Sequence, residues 1–227
     1  MAGVGVTDAA MVPEIGWRAP EVEEELPALR LLASNVQVAR RTPLTGPSPP
    51  DITARLRELS NRFRGPRAVS IRREPVPAAF RVFFRHIGLD PDVVRTPIEG
   101  AVLERMMRGG FLSGGLLEDV LLIALLDTAV PVWALDTASI EGKLGIRPSR
   151  ERETLGRAVD ASVLPAGRLV IADDTRALAV LFGELGAGHT VSATTAAVTL
   201  FAIQVAGVPT LYAEEALWSA RSALEHP

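Results

Sequence analysis

The spacing of apolar and polar residues divides this chain into two halves. In ITARLRELSNRFRG the apolar side chains of Ile52, Leu56, Leu59 and Phe63 recur at helical spacing. Similar patterns predict helices over APEVEEELPALRLLAS, VPAAFRVFFRHIGLDP, PIEGAVLERMMRGG and GGLLEDVLLIALLDTA. The first 130 or so residues are therefore expected to be mainly helical, with the side chains of Phe80, Phe83 and Phe84 in the core.

After residue 130 the pattern becomes typical of strands. Short apolar runs separated by Gly, Asp and Pro occur in VPVWALD, KLGIRPS, RLVIADD, ALAVLFGEL and HTVSATTAAVTLFAIQVAG, and NVQVAR predicts an earlier strand. PTLYAEEALWSARSALEHP predicts a closing amphipathic helix, with Leu211, Ala216, Leu217 and Leu224 facing the sheet. We therefore expect an α+β fold in which a helical N-terminal half packs on a C-terminal β-sheet or sandwich core.

A proline-rich connection, RRTPLTGPSPPD, is the best internal boundary. It ends in Asp51, a residue type that caps helix N-termini. We divide the chain into residues 1–50, a strand and helix segment packed on the main domain, and residues 51–227, the main α+β domain. A chain of 227 residues with 48% hydrophobic content can bury one substantial core, so we expect one compact unit.

Composition excludes several kinds of site. The chain has no cysteine and three scattered histidines, so we predict neither disulfides nor a metal site, and nothing in the sequence implies a cofactor. The N-terminal residues lack the pattern of a signal peptide, and no apolar run approaches the roughly 20 residues that span a bilayer. We therefore expect a cytoplasmic protein that does not bind membranes.

Arginines are concentrated between residues 55 and 85. Nine arginines face two glutamates there, whereas the whole chain has a net charge of −3. Such a block is either a solvated basic face or a surface that binds the phosphates of a nucleic acid, and both interpretations stay open. The residues that we select as RNA-binding candidates are Arg55, Arg62, Arg64, Arg67, Arg72 and Arg73.

Three blocks of sequence carry a family resemblance. They are RHIGLDPDVVRTPIEGAVLERMMRGG, EDVLLIALLDTAVPVWALDTASIEG and RLVIADDTRALAVLFGELGAGHTVSATTAAVTLFA. Their order and separation resemble the editing domain of bacterial phenylalanyl-tRNA synthetase beta chains, in particular its free-standing relatives. The matching positions are Arg95, Glu99, Arg105, Asp119, Pro131, Ala134, Asp136, Ile140, Glu141 and Gly142.

The resemblance implies a function in translation fidelity. Domains of this family bind the aminoacylated end of a tRNA and hydrolyse a mischarged ester, removing tyrosine from the phenylalanine tRNA. We therefore expect a tRNA end as partner, while any synthetase partner stays unspecified. The glycine-rich segment FGELGAGHTVSATT of the third block supplies His189 and Thr195 as catalytic candidates. The same segment is also typical of an ordinary hairpin, in which a lone histidine is structural. The pocket candidates are Asp119, Leu122, Trp133, Asp136, Gly183, Glu184, Gly186, Gly188 and Phe201.

Asp136 shows how the resemblance changes the interpretation of one residue. An acid after the apolar run VPVWAL ordinarily ends a strand and caps the next turn. In the family this segment lies beside the pocket, so we expect Asp136 to organise the pocket wall. We further predict that one cleft contains Asp119, Trp133, Asp136, Glu184, His189 and Thr195.

Three substitutions separate this chain from the family pattern. Trp133 stands where the family has histidine, Leu122 where it has asparagine, and Phe201 where it has the glutamate that binds the tyrosine hydroxyl. Each change makes the expected pocket more apolar. Two functions follow: a deacylase or degenerate tRNA-binding relative with an altered pocket, or a non-catalytic protein that binds a hydrophobic or aromatic ligand.

Overall fold

The computed structural model describes residues 12–38, 43–156 and 161–226. It confirms the predicted α+β class. The helices are α1 (Pro20–Glu25), α2 (Pro50–Arg62), α3 (Pro66–Ser70), α4 (Pro75–His86), α5 (Pro97–Arg108), α6 (Leu116–Thr128) and α7 (Thr210–Glu225). The strands are β1 (Glu14–Ile15), β2 (Trp17–Arg18), β3 (Arg30–Gln37), β4 (Val132–Asp136), β5 (Gly145–Pro148), β6 (Thr154–Leu155), β7 (Ser162–Val163), β8 (Leu169–Ala172), β9 (Ala177–Val180) and β10 (Ala197–Gln204).

Two four-stranded sheets form the β part of the fold. The first has the order β1-β3-β10-β4, and the second has the order β2-β5-β8-β9. In the first sheet all pairs are antiparallel, and β10 pairs along its full eight residues with β3. The two short strands β6 and β7 pair separately. An N-terminal strand therefore lies at the centre of a sheet whose other main strands come from the C-terminal half.

Helices cover the first sheet, and one hydrophobic core joins the layers. Helix α7 packs on β3 and β10, and α6 packs on α7. Ala213, Ala216 and Leu217 on the inner face of α7 are at most 1% exposed. The same cluster of buried residues extends to Ile146 and Ile171 of the second sheet. The division of the chain near residue 50 stays a prediction, and residues 39–42 of the proline-rich connection lie outside the described residues.

The first predicted helix is too long. It was expected to continue to residue 34, but α1 ends at Glu25 and the chain enters β3 at Arg30. Pro27 explains the error, because proline lacks a backbone N–H and disfavours the helical conformation of the preceding residue. The apolar residues Leu31 and Leu32 are buried in a strand instead.

Two smaller expectations are also corrected. Asp51 does not cap α2, because the helix begins at Pro50 with Pro49 at the N-cap position, and proline is well suited to the first helical turn. Leu211 does not face the sheet, because it lies on the outer side of α7 and is 67% exposed. The three other residues predicted for the inner face of α7 are buried as expected.

An aromatic cluster joins α4 to both sheets. Phe80, Phe83 and Phe84 are buried as predicted, and their ring centroids lie 5.7, 5.8 and 5.1 Å from that of Phe182. Phe182 follows β9 in the second sheet and also contacts Trp133 of β4 at 5.6 Å. Its backbone has a φ of 57°, which L-residues other than glycine rarely adopt. Packing of its ring on four others compensates for this strained backbone.

We expect substitution of Phe182 to separate these two effects. Phe182→Ala removes the ring contacts but keeps a Cβ in the left-handed region, whereas Phe182→Gly removes both the ring and the backbone strain. Both variants should be destabilised, and glycine should be the more stable of the two by about 1 kcal/mol. Chemical denaturation of both variants measures the difference. An alanine variant clearly more stable than the glycine variant would contradict this account.

Candidate functional site

Asp136 lies at the end of β4 and makes two different contacts with its carboxylate. Oδ1 accepts a hydrogen bond of 3.0 Å from the backbone N–H of Ala138, which caps the turn that follows. Oδ2 accepts a hydrogen bond of 2.7 Å from the hydroxyl of Thr195. Asp136 therefore caps a local turn and also holds a loop that is distant in sequence.

The glycine-rich segment before β10 lies against the same residue. The backbone N–H of Asp136 donates to the carbonyl of His189 at 2.9 Å. The Thr195 hydroxyl also accepts from the backbone N–H of Ser192 at 3.0 Å, so its position is determined from two sides. The structure thus brings together Asp136, His189 and Thr195.

His189 is enclosed by the protein. The residue is 0% exposed, and Nδ1 lies 3.1 Å from Oγ of Ser139. Ser139 in turn donates to the carbonyl of Asp136 at 2.8 Å. A general base must reach a substrate or one water molecule next to it. In this conformation His189 supports the backbone around Asp136, and its catalytic role stays a prediction.

A polar cavity of about 290 Å³ opens beside the end of β4 and β10. Thr137 Oγ1 lies 2.9 Å from Thr199 Oγ1, and Thr199 donates to Oδ1 of Asn35 at 2.8 Å. Lys143 and Arg221 also line this cavity, and both are paired: Lys143 with Glu14 at 2.5 Å and Arg221 with Glu225 at 2.8 Å. The cavity therefore combines a chain of hydrogen-bonding side chains with two cationic groups, and the sequence analysis did not select it.

Two aromatic residues that the sequence predicted for the pocket contact each other across the first sheet. Trp133 of β4 and Phe201 of β10 are directly opposite each other in the sheet. Their rings stack at 5.4 Å with an interplanar angle of 15°, and Phe182 packs edge-on against Trp133. Phe201 is only 2% exposed. The two side chains supply no hydrogen-bond acceptor on this face of the sheet.

The glycine turn has a structural explanation. Val180 donates its backbone N–H to the carbonyl of Glu184, and Gly183 donates to Val180, so the segment folds back on β9. A Cβ at Gly186 would lie 2.9 Å from the backbone N of Gly156. Gly183, Glu184 and Gly188 are exposed at this turn. The glycines allow close backbone packing, while their binding role stays a prediction.

Asp119 and Leu122 line a different cavity, of about 190 Å³, together with Arg105. Asp119 is 1% exposed and accepts hydrogen bonds from the hydroxyls of Ser48 and Ser113, both at 2.5 Å. The carboxylate ties two loops to α6. Of the residues expected in one cleft, the structure therefore groups His189 and Thr195 with Asp136 and places Asp119 in another cavity.

Asp173 is a structural residue that the sequence analysis did not select. It is 2% exposed and directly follows β8, whereas Asp136 is the last residue of β4. Its carboxylate accepts from the backbone N–H groups of Glu141, Thr175 and Arg176 at 2.8–2.9 Å. Burial favours a higher pKa, but these hydrogen bonds outweigh burial and lower the pKa of Asp173. The repeated pattern of an apolar strand ending in Asp was the signal for this residue.

Several arginines of the block form contacts within the protein. Arg55 and Arg62 both pair with Asp127, and the Arg67 guanidinium lies 4.9 Å from the centre of the Phe63 ring. Arg64, Arg72 and Arg73 are exposed and form no ion pair with any residue in the described parts of the chain. Of the six arginines selected as RNA-binding candidates, these last three are free for an external phosphate.

A comparison with known protein families identifies the fold. The B3/4 domain matches residues 79–213, more than half of the chain, from α4 into α7. The chain belongs to the B3/4 domain family. The matched range includes the polar end of β4 and β10 and the aromatic rings beside it.

Curated relatives of this B3/4 protein are phenylalanine–tRNA ligase beta subunits. That of Streptomyces avermitilis is 29% identical over 187 residues, which is 82% of this chain and 20% of the relative. That of Sodalis glossinidius is 32% identical over 74% of this chain and 20% of the relative. That of Pseudomonas putida is 31% identical over 70% of this chain and 18% of the relative. The predicted resemblance to the synthetase beta chain is confirmed. The chain spans about a fifth of the length of these relatives.

Within the described ranges, no helix of this B3/4 protein is both long and apolar enough to cross a membrane.

The lowered pKa of Asp173 predicts how stability changes with pH. Its carboxylate stabilises the folded state above the ordinary pKa of 3.8, and this contribution is lost as the pH falls from that value through the lower folded-state pKa. We expect Asp173→Asn to reduce the free energy of unfolding by about 1–3 kcal/mol near neutral pH. Chemical denaturation at a series of pH values measures the free energy of unfolding of both proteins. The difference in this free energy between wild type and variant should shrink as the pH falls below the ordinary pKa. A difference that stays constant into strong acid would refute this role.

Proposed function

We propose that this B3/4 domain binds the aminoacylated 3′ end of a tRNA and hydrolyses the ester bond, and that it prefers amino acids without a side-chain hydroxyl. The observation that carries the proposal is the hydrogen bond between Asp136 and Thr195, which joins two of the family-matching segments at one partly exposed point. Membership of the B3/4 family and the similarity to synthetase beta subunits support it.

The reaction requires positioning of one water molecule. The water oxygen bonds to the ester carbonyl carbon and the water loses a proton, the bond from that carbon to the ribose oxygen breaks, and the ribose oxygen takes up that proton. The products are the free amino acid and the tRNA with its terminal hydroxyl. Asp136 can accept a hydrogen bond from this water, and Thr195, fixed by Asp136 and Ser192, can orient it. No metal or cofactor is needed for this step.

The polar cavity beside these residues suits the nucleotide end of the substrate. Asn35, Thr137 and Thr199 offer amide and hydroxyl groups for a ribose. A phosphate that bound Lys143 or Arg221 would have to displace Glu14 or Glu225 from its ion pair. Thr199 and Phe201 are two residues apart on β10, so their side chains lie on the same face of the sheet. The nucleotide and the amino acid side chain can therefore occupy neighbouring positions on that face.

The stacked rings determine which amino acid is favoured. A tyrosine hydroxyl next to Trp133 and Phe201 loses the water that accepts its proton and finds no other acceptor, at a cost of about 1–3 kcal/mol. That cost corresponds to about a 10- to 100-fold preference against tyrosine relative to a side chain without the hydroxyl. The domain is therefore proposed to differ in specificity from the tyrosine-removing members of the family.

Hydrolysis assays on charged tRNA test this proposal. Purified protein is incubated separately with tRNA carrying tyrosine, phenylalanine and smaller apolar amino acids, and release is followed over time. We expect slower release of tyrosine than of phenylalanine. Thr195→Val should lower kcat by about 10- to 100-fold because the water loses its orientation, while Thr195→Ser should retain activity. Rapid release that is selective for tyrosine would exclude the proposed specificity.

Binding of the tRNA body is assigned to the unpaired arginines Arg64 and Arg73. Arg64→Gln and Arg73→Gln should each reduce the slope of log affinity against log salt by about one, because each removes one phosphate contact. Arg168→Gln is the control, since this exposed arginine lies outside the block. Unchanged tRNA affinity and salt slope in both variants would assign the block to a solvated face.

A non-catalytic function is the second candidate, and the burial of His189 favours it. With this imidazole 0% exposed, the site offers no accessible histidine base at the position that the sequence analysis suggested. In that case the aromatic wall would bind a free hydrophobic ligand. Absence of release from every charged tRNA, together with calorimetric binding of a free aromatic amino acid, would support this function over hydrolysis.

A further inference from the structure

The outer face of α7 is both apolar and acidic. Leu211 and Trp218 are 67% and 66% exposed, and they lie two turns apart on the same side of the helix. Glu214 and Glu215 flank them, and neither glutamate forms an ion pair with any residue that the structure describes. A large exposed indole beside uncompensated acids is unusual on a monomeric surface and is typical of a protein–protein contact.

A second exposed surface has the opposite charge. A groove of about 240 Å³ lies between α3 and α5, with apolar walls that include Val69, Leu103 and Met106. Val69 is 67% exposed and Met106 is 50% exposed. Arg72 and Arg95 lie at its rim. Methionine adapts readily to the shape of an incoming side chain, so this groove suits an apolar anchor that is accompanied by acids.

The acid that lines the groove does not neutralise this rim. Glu99 is 8% exposed, and its carboxylate accepts hydrogen bonds from the Thr96 hydroxyl at 2.7 Å and from the Arg81 guanidinium at 2.8 Å. Arg95 has only a long contact of 3.9 Å with Asp92, a carboxylate that Arg81 already binds at 2.7 Å. The groove therefore presents positive charge to its surroundings.

We propose that the two surfaces bind each other, so that α7 of one copy docks in the α3–α5 groove of a second copy. Trp218 occupies the groove, and Glu214 and Glu215 face Arg72 and Arg95. Tryptophan and arginine are the residues that most often dominate the energy of such contacts, and the opposite charges align the partners. The inference is independent of the proposed hydrolysis, because it uses none of the residues around Asp136.

The contact joins unlike surfaces, which has a consequence for assembly. Every copy carries both surfaces, so two copies can exchange contacts in a closed dimer, or copies can join head to tail into larger species. In either case the average mass in solution must rise with protein concentration. Since Arg72 is also an RNA-binding candidate, the test uses Arg95 on the groove side.

Sedimentation velocity of the purified chain, from about 1 to about 100 μM, tests the proposal. We expect the average mass to rise across this range. Trp218→Ala should lower the association constant at least about 30-fold, and Trp218→Phe should retain most of it. Trp218 is largely exposed, so the thermal unfolding midpoint of the variants should stay close to that of the wild type.

A charge exchange makes the test specific for the two surfaces. Glu215→Arg and Arg95→Glu should each weaken association about tenfold, and the double variant should recover most of the loss because the pair is restored with opposite sign. Arg168→Glu is the charge-matched control and should have no effect.

A monomer at every concentration, or association that Trp218→Ala leaves unchanged, would overturn the proposal. A monomer that instead cofloats with vesicles of anionic phosphatidylglycerol would overturn it as well and assign the groove to lipid.

Discussion

The packing of Phe182 is the interaction on which the rest of this structure depends. Its ring contacts three phenylalanines of α4 and Trp133 of β4, while its backbone lies in the turn that follows β9 of the second sheet. One side chain therefore connects the helical half to both sheets. The backbone strain at Phe182, of order 1–3 kcal/mol for a non-glycine residue, persists because four aromatic rings surround the side chain. Trp133, which Phe182 contacts, also stacks on Phe201. The aromatic residues of the candidate site are therefore packed into the hydrophobic core.

Helical periodicity and apolar runs were sufficient to predict most elements of this fold, because their side chains are buried on one face of a helix or on both faces of a strand. The prediction failed where a single residue gave the segment a structure different from the one that its pattern indicated. Pro27 ended a helix whose acidic start and apolar continuation looked uniform. Leu211 is apolar, like the residues of the inner stripe of α7, but it lies on the outer face. Successive residues of a helix point about 100° apart, so an error of one position is enough to move a side chain off the buried face.

The site was predictable in part, for a related reason. The segments around Asp136 and Thr195 were recognised from motifs, and their hydrogen bond depends on pairing of β10 with β4, which brings together residues 59 positions apart. Burial of His189 and the separation of Asp119 depend on three-dimensional packing that no local pattern contains. The conformation of Phe182 had no sequence signal, because phenylalanine gives no indication of a positive φ.

The chain thus belongs to the B3/4 family, and Trp133 and Phe201 form an aromatic stack without a hydrogen-bond acceptor, on which the proposed specificity rests. The most direct test of this account is to return an acceptor to the stack with Phe201→Gln, and to compare the hydrolysis rates of tyrosyl and phenylalanyl esters on tRNA before and after the change. We expect the ratio of tyrosine to phenylalanine release to rise about tenfold or more in a variant that circular dichroism shows to be folded. A wild-type protein that already prefers tyrosine, or a ratio that does not change, would contradict the account.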